Sequence, residues 1–225
     1  MQTRNRLIII SLILIGLMFS ACAPKTITLN SQLKNNFENK TITFTNREGP
    51  LEPNVMTPTG AIDLSGMVGL LGSLTIALFD NDKSYKVNKV PSLYINNKLI
   101  QELTTKYNMK HIKNNTMTHT TSVDELIRQY PNSDYILDNT TTYWMIIYYP
   151  THWATYTVNL FNVMKLIDTK NAKIVAQKIC QYQPKYKDNM PSYDEMFANN
   201  GALIKKETQK ALDYCIEDFK SLLFN

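Results

Sequence analysis

Few side chains in this sequence are placed to move protons, hold metals or attack carbonyl groups. The three histidines, His111, His119 and His152, stand at separations that match no metal-ligand motif, and no carboxylate or thiolate sits beside them at ligand spacing, so no metal is expected. Glu125, Asp134 and Asp138 could supply the acid and base of a glycosidase, a reaction that needs two carboxylates at a controlled separation across a sugar. Asp138 beside Asn139 reads better as a turn residue, and acids near helix starts read better as caps. A Gly-x-Ser-x-Gly elbow, a phosphate-cradling Gly-Lys-Ser/Thr loop and a nucleophilic cysteine beside a histidine are all missing from the sequence. It therefore predicts a protein that is not an enzyme and carries no cofactor, with a hydrolase as the remote alternative.

Recognition chemistry is better supplied. Tyr143, Trp144, Tyr148, Tyr149, His152 and Trp153 crowd into a short span, with Tyr156 just beyond. Aromatic rings with polar tips give large contact area at little entropic cost, which suits a partner interface or a ligand or glycan cleft. Strands are rich in aromatics for packing reasons too, and core or cross-strand contacts are the competing explanation.

The cysteines point elsewhere. Arg4 and Arg6 precede an uncharged run from Leu7 to Phe19, then Ser20, Ala21 and Cys22, in the layout of a secretory signal. The run is shorter than the roughly 20 residues needed to span a bilayer. Phe19-Ser20-Ala21-Cys22 resembles the lipobox of bacterial lipoproteins, although its first position more often holds Leu. That resemblance implies cleavage before Cys22 and acylation of its sulfur, with several acyl chains anchoring durably where one would not. An ordinary signal peptide with a chance cysteine is the alternative. In Gram-negative lipoproteins an Asp after the cysteine favours inner-membrane retention; Ala23 at that place implies the outer membrane, facing the periplasm. Cys180 and Cys215 remain, and an oxidising compartment permits a structural disulfide between them. Two buried thiols are one rival; a redox pair, lacking a Cys-x-x-Cys spacing, is another.

Loss of residues 1–21 removes Arg4 and Arg6 and lowers the formal charge from +5 to +3. Scattered lysines of this kind make no nucleic-acid footprint, so no nucleic-acid partner is expected.

The elements that must position these groups follow from patterning. Residues 22–40 are polar and aperiodic and read as a flexible tether, leaving 41–225 as a single α+β domain. Thr41–Thr45 reads as a strand. Leu64–Phe79 is the most apolar stretch, with Gly66, Gly69 and Gly72 along one side of a helix, either buried against the sheet or docking a partner or membrane. Pro91–Met109 reads as a helix, His111–Thr121 as an edge strand or loop, and Ser122 with Glu125 as a capping box opening a short helix that Pro131 ends. Strands are predicted over Tyr135–Leu137, Thr141–Tyr149, Trp153–Asp168 and Lys173–Tyr182, making a largely antiparallel sheet in the second half. Ser192 and Glu195 form a second capping box, and an amphipathic C-terminal helix from Gly201 covers one sheet face.

From Trp144 to Cys180 the chain also resembles a set of uncharacterised periplasmic lipoproteins. The matching features are Trp144, Pro150, Trp153, Tyr156, Leu166-Ile167-Asp168, Val175-Ala176 and Cys180, followed by Pro-Ser-Tyr-Asp-Glu at 191–195. These motifs are structural and imply no activity. The combined expectation is a lipid-anchored envelope protein that binds an envelope partner, as an accessory subunit of a transport or assembly complex, with small-ligand or glycan binding as the alternative.

Overall fold

The computed structural model describes residues 25–56, 87 and 89–224. Its elements in chain order are α1 (Ser31–Lys34), β1 (Thr41–Phe44), β2 (Asn54–Val55), α2 (Pro91–Tyr107), β3 (Lys110–His111), α3 (Val123–Gln129), β4 (Tyr135–Tyr149), β5 (His152–Asp168), β6 (Lys173–Tyr182) and α4 (Tyr193–Phe224). They form one mixed sheet in the order β3-β1-β4-β5-β6, with β2 pairing β4, and the class is α+β as expected. β4, β5 and β6 form two antiparallel hairpins. The short strands from the first half add to these as parallel neighbours: β1 pairs β3 and β4, and β2 pairs β4.

Alternation along the long strands sends every second residue to the same face. Leu137, Trp144, Ile146, Val158, Leu160 and Leu166 are buried on one face beneath Ile95, Leu99 and Leu103 of α2 and Leu212, Cys215 and Phe219 of α4. Each such side chain contributes roughly 1.5–3 kcal/mol by leaving water. The two helices lie side by side and run the same way. Gln209 in the middle of α4 donates to the hydroxyl of Tyr94 near the start of α2, and at their ends Tyr107 stacks on Phe224 and donates to the Leu223 carbonyl. On the opposite face α3 covers a smaller cluster of Leu126, Tyr130, Ile136 and Ile167.

Three sequence expectations are corrected. Asp138 and Asn139 form no turn: β4 runs unbroken through them, because Asp138 finds a buried partner and the irregularity falls instead as a bulge between Thr141 and Tyr143. The Ser122 side chain makes no capping bond, since the Thr120 hydroxyl takes the Glu125 carboxylate. The expected tether is also shorter than residues 22–40. Ile27 exchanges two backbone hydrogen bonds with Gln177 of β6 at 2.8 and 2.9 Å, Leu29 is buried, and Phe37 is wedged edge-on between Tyr107 and Tyr135.

Other expectations hold. At the start of α4, Ser192 N–H donates to Glu195 Oε2 at 2.7 Å and Glu195 N–H donates back to Ser192 Oγ at 3.3 Å. That helix is interrupted at Ala198–Gly201, where Asn199, Asn200 and Gly201 take left-handed conformations that Asn and Gly tolerate best. Cys180 and Cys215 are joined in a disulfide that staples the end of β6 to α4, with Cα atoms 5.4 Å apart. Among the described residues no helix is long and apolar enough to cross a membrane. Cys22 and the Gly66, Gly69 and Gly72 segment lie outside the described residues.

Candidate functional site

The aromatic run divides between the two sheet faces and the tip of the β4–β5 hairpin. Trp144 is buried in the core, and Tyr148 packs edge-on against Tyr156, which in turn meets Tyr193. Tyr143 falls on the other face, edge-on to Phe161, where burial raises its phenol pKa. Core packing therefore accounts for Trp144 and Tyr148, and cross-strand packing for Tyr143. At the tip the arrangement opens to solvent. Trp153 is 60% exposed, and its indole N–H donates to the Pro150 carbonyl across the turn. His152 lies flat on Tyr186, with centroids 3.7 Å apart and planes 10° from parallel. Tyr149 meets the same Tyr186 edge-on and donates its hydroxyl to the Pro184 carbonyl at 2.7 Å. Burial, with Glu207 adding to it, holds the Tyr149 phenol above its ordinary pKa and keeps it a donor.

The tip is thus Tyr149 and His152 joined by Tyr186, which belongs to the loop after β6, with Trp153 next along the strand and held to Pro150. No sequence signal marks Tyr186, which sits in a lysine-rich loop without periodicity. An exposed indole held by a hydrogen bond to its own turn is an amphipathic knob, the kind of group that anchors protein interfaces.

The carboxylates weighed for catalysis are engaged in structure. Asp138 accepts from Arg47 Nε at 2.9 Å and Nη2 at 2.7 Å and from the Thr45 hydroxyl at 2.9 Å, and both members of the ion pair are buried. Asp134 accepts from the Thr41 amide and hydroxyl, both at 2.8 Å. Burial pushes its pKa upward, but the two Thr41 bonds and Lys40 outweigh this and hold the carboxyl below its ordinary value. Nor are the histidines brought together. His111 stacks on Phe44, with its pKa lowered by burial and by Lys113, while His119 and His152 are exposed. Among the described residues no three His, Cys, Asp or Glu side chains form a metal-holding group.

No protein-family model matches the chain, and no curated protein matches it. Among solved structures it is similar to the hypothetical protein CT253 of Chlamydia trachomatis, with 7% identity over 83% of this chain and 98% of that one and a TM-score of 0.39. It is also similar to the lipoprotein GNA1162 of Neisseria meningitidis, at 11% identity over 80% and 99% of the two chains, with a TM-score of 0.29. A PelC dodecamer from Paraburkholderia phytofirmans gives 10% identity, 84% and 94% coverage and a TM-score of 0.30. Likenesses this loose carry no statement about activity or partners.

Proposed function

We propose that this protein is a lipid-anchored, non-enzymatic domain of the bacterial envelope that binds an envelope protein through the β4–β5 tip, as an accessory subunit of a transport or assembly complex. The address rests on the Cys22 lipobox, and Ala23 favours the outer membrane facing the periplasm. The binding reading rests on one observation: Trp153 is 60% exposed yet held in place by its own hydrogen bond. A fixed aromatic loses little side-chain entropy on docking, which is why such residues dominate binding energy at interfaces.

The test is site-specific photo-crosslinking in cells, with a photoreactive amino acid placed at Trp153 of the full-length protein and, separately, at Tyr214 on the exposed side of α4. A discrete adduct with one envelope protein at position 153 but not at 214, together with loss of co-purification in Trp153→Ala, supports the reading. Equal labelling at both positions, or no adduct at 153, sinks it. A Cys22→Ala variant that still fractionates with membranes would refute the lipid anchor.

A further inference from the structure

Beside the tip, a cleft of about 340 Å³ opens between the ends of β5 and β6, the 183–191 loop and the middle of α4. That volume suits a small ligand. Its lining mixes rings with polar groups: Tyr182 stands on the sheet side, Tyr156 lies beneath it only 4% exposed, and Pro184 and Pro191 stand on the loop. Thr157 and Asn189 add hydrogen-bonding groups, and burial, with Glu207 and Tyr149 nearby, keeps the Tyr182 phenol protonated as a donor.

Charge at the mouth is one-sided. Lys210 is committed to Glu207 at 2.6 Å, whereas Lys185 and Lys187 line the cleft with no ion pair among the described residues. Asp188, which follows Lys187 in sequence, is exposed and does not line it. The loop that carries both lysines is fastened at its two ends, by the Tyr149 hydroxyl on the Pro184 carbonyl at 2.7 Å and by the Tyr156 amide on the Pro191 carbonyl at 2.8 Å. Tyr186 is pinned between them by its stack on His152. The cleft is therefore formed before any ligand arrives, which lowers the ordering cost of binding.

We propose that this cleft binds a carboxylate-bearing saccharide. The Tyr182 ring and the two prolines suit the apolar face of a pyranose ring, the hydroxyl and amide groups suit its hydroxyls, and Lys185 with Lys187 suits a carboxylate at one end. A bare inorganic anion would use the lysines and leave the walls idle. The choice of a cell-wall sugar as probe rests on the envelope reading; the chemistry of the cleft does not.

The experiment titrates free N-acetylmuramic acid and N-acetylglucosamine, which differ by a lactyl carboxylate, into full-length protein in detergent, read by ligand-observed saturation-transfer NMR. N-acetylmuramic acid should bind in the millimolar range or tighter, and N-acetylglucosamine about tenfold more weakly. Lys185→Ala combined with Lys187→Ala should reduce the first affinity to that of the second. Both lysines are exposed loop residues, so folding is not at stake, and Trp153→Ala should leave the sugar affinity unchanged even if it abolishes partner binding. Equal binding of the two sugars, indifference to the lysine substitutions, displacement by equimolar inorganic phosphate, or no binding at all would overturn the assignment.

Discussion

Removing the positive half of the buried Arg47–Asp138 pair should be among the most damaging single changes in the molecule. The pair is almost fully screened from water, with side-chain exposures of 8% and 2%, and the Arg47 guanidinium donates twice to one Asp138 oxygen and once to the Thr120 carbonyl. Arg47→Met keeps most of the aliphatic stem and leaves the carboxylate buried and uncompensated, at a cost of about 3–5 kcal/mol. With a urea m-value of about 2 kcal/mol/M, the unfolding midpoint should drop by about 1.5–2.5 M at constant m. Adding Asp138→Leu removes the stranded charge. What remains unpaired is the Thr45 hydroxyl and the Thr120 carbonyl, so the double variant should recover to within about 2 kcal/mol of the parent. Equilibrium urea unfolding followed by far-UV circular dichroism measures all four corners of the cycle. A loss below about 1 kcal/mol in Arg47→Met, or a double variant no better than the single, would show that the pair does not hold this side of the sheet as described.

Other perturbations test different layers. Replacing Cys180 and Cys215 by Ala opens a link spanning 35 residues, and the chain-entropy estimate gives a loss of about 4 kcal/mol, seen as a lower thermal midpoint that reductant no longer changes. Ala172, in the turn between β5 and β6, has φ 50°, where a Cβ is strained, so Ala172→Gly should stabilise by about 1 kcal/mol; a destabilised variant would contradict that turn geometry. His111 has a pKa lowered by burial and by Lys113 from its ordinary 6.5, so below about pH 6.5 the unfolded chain takes up a proton that the folded chain resists. Stability should therefore fall as pH drops from 7 to 5, and less steeply in His111→Phe, which keeps the stack on Phe44; identical slopes in differential scanning calorimetry would discount His111.

Local signals were legible wherever one segment sufficed to produce them. The period-2 face of β5, the second capping box and the apolar stripe of α4 each stand in the sequence as they stand in the fold, and the Cys180–Cys215 pairing followed from two cysteines on core-facing positions. Features that need a distant partner were not. Asp138-Asn139 has turn composition, and only Arg47, ninety-one residues away by the bond's own separation, makes it a strand interior. The polar run before Lys40 hides Leu29 and Phe37, whose burial depends on surfaces of β6, α2 and β4 that sequence pattern cannot place. At the candidate site, proximity in sequence misled: strand alternation sends adjacent aromatics to opposite faces, while Tyr186 reaches the tip through the tertiary fold.

The clamp of Ile27 on Gln177 sets a leash. With a lipidated Cys22, five residues of extended chain reach about 17 Å, so the β6 edge rides within that distance of the bilayer surface. Through the sheet register Gln177 lies level with Lys165 and Asp138, and the eleven residues from there to Tyr149 carry the hairpin tip about 36 Å along the strands. In the proposed lipid-anchored state one end of the molecule would be moored and the aromatic end would sweep an arc, so any partner of that tip would have to be met within that radius.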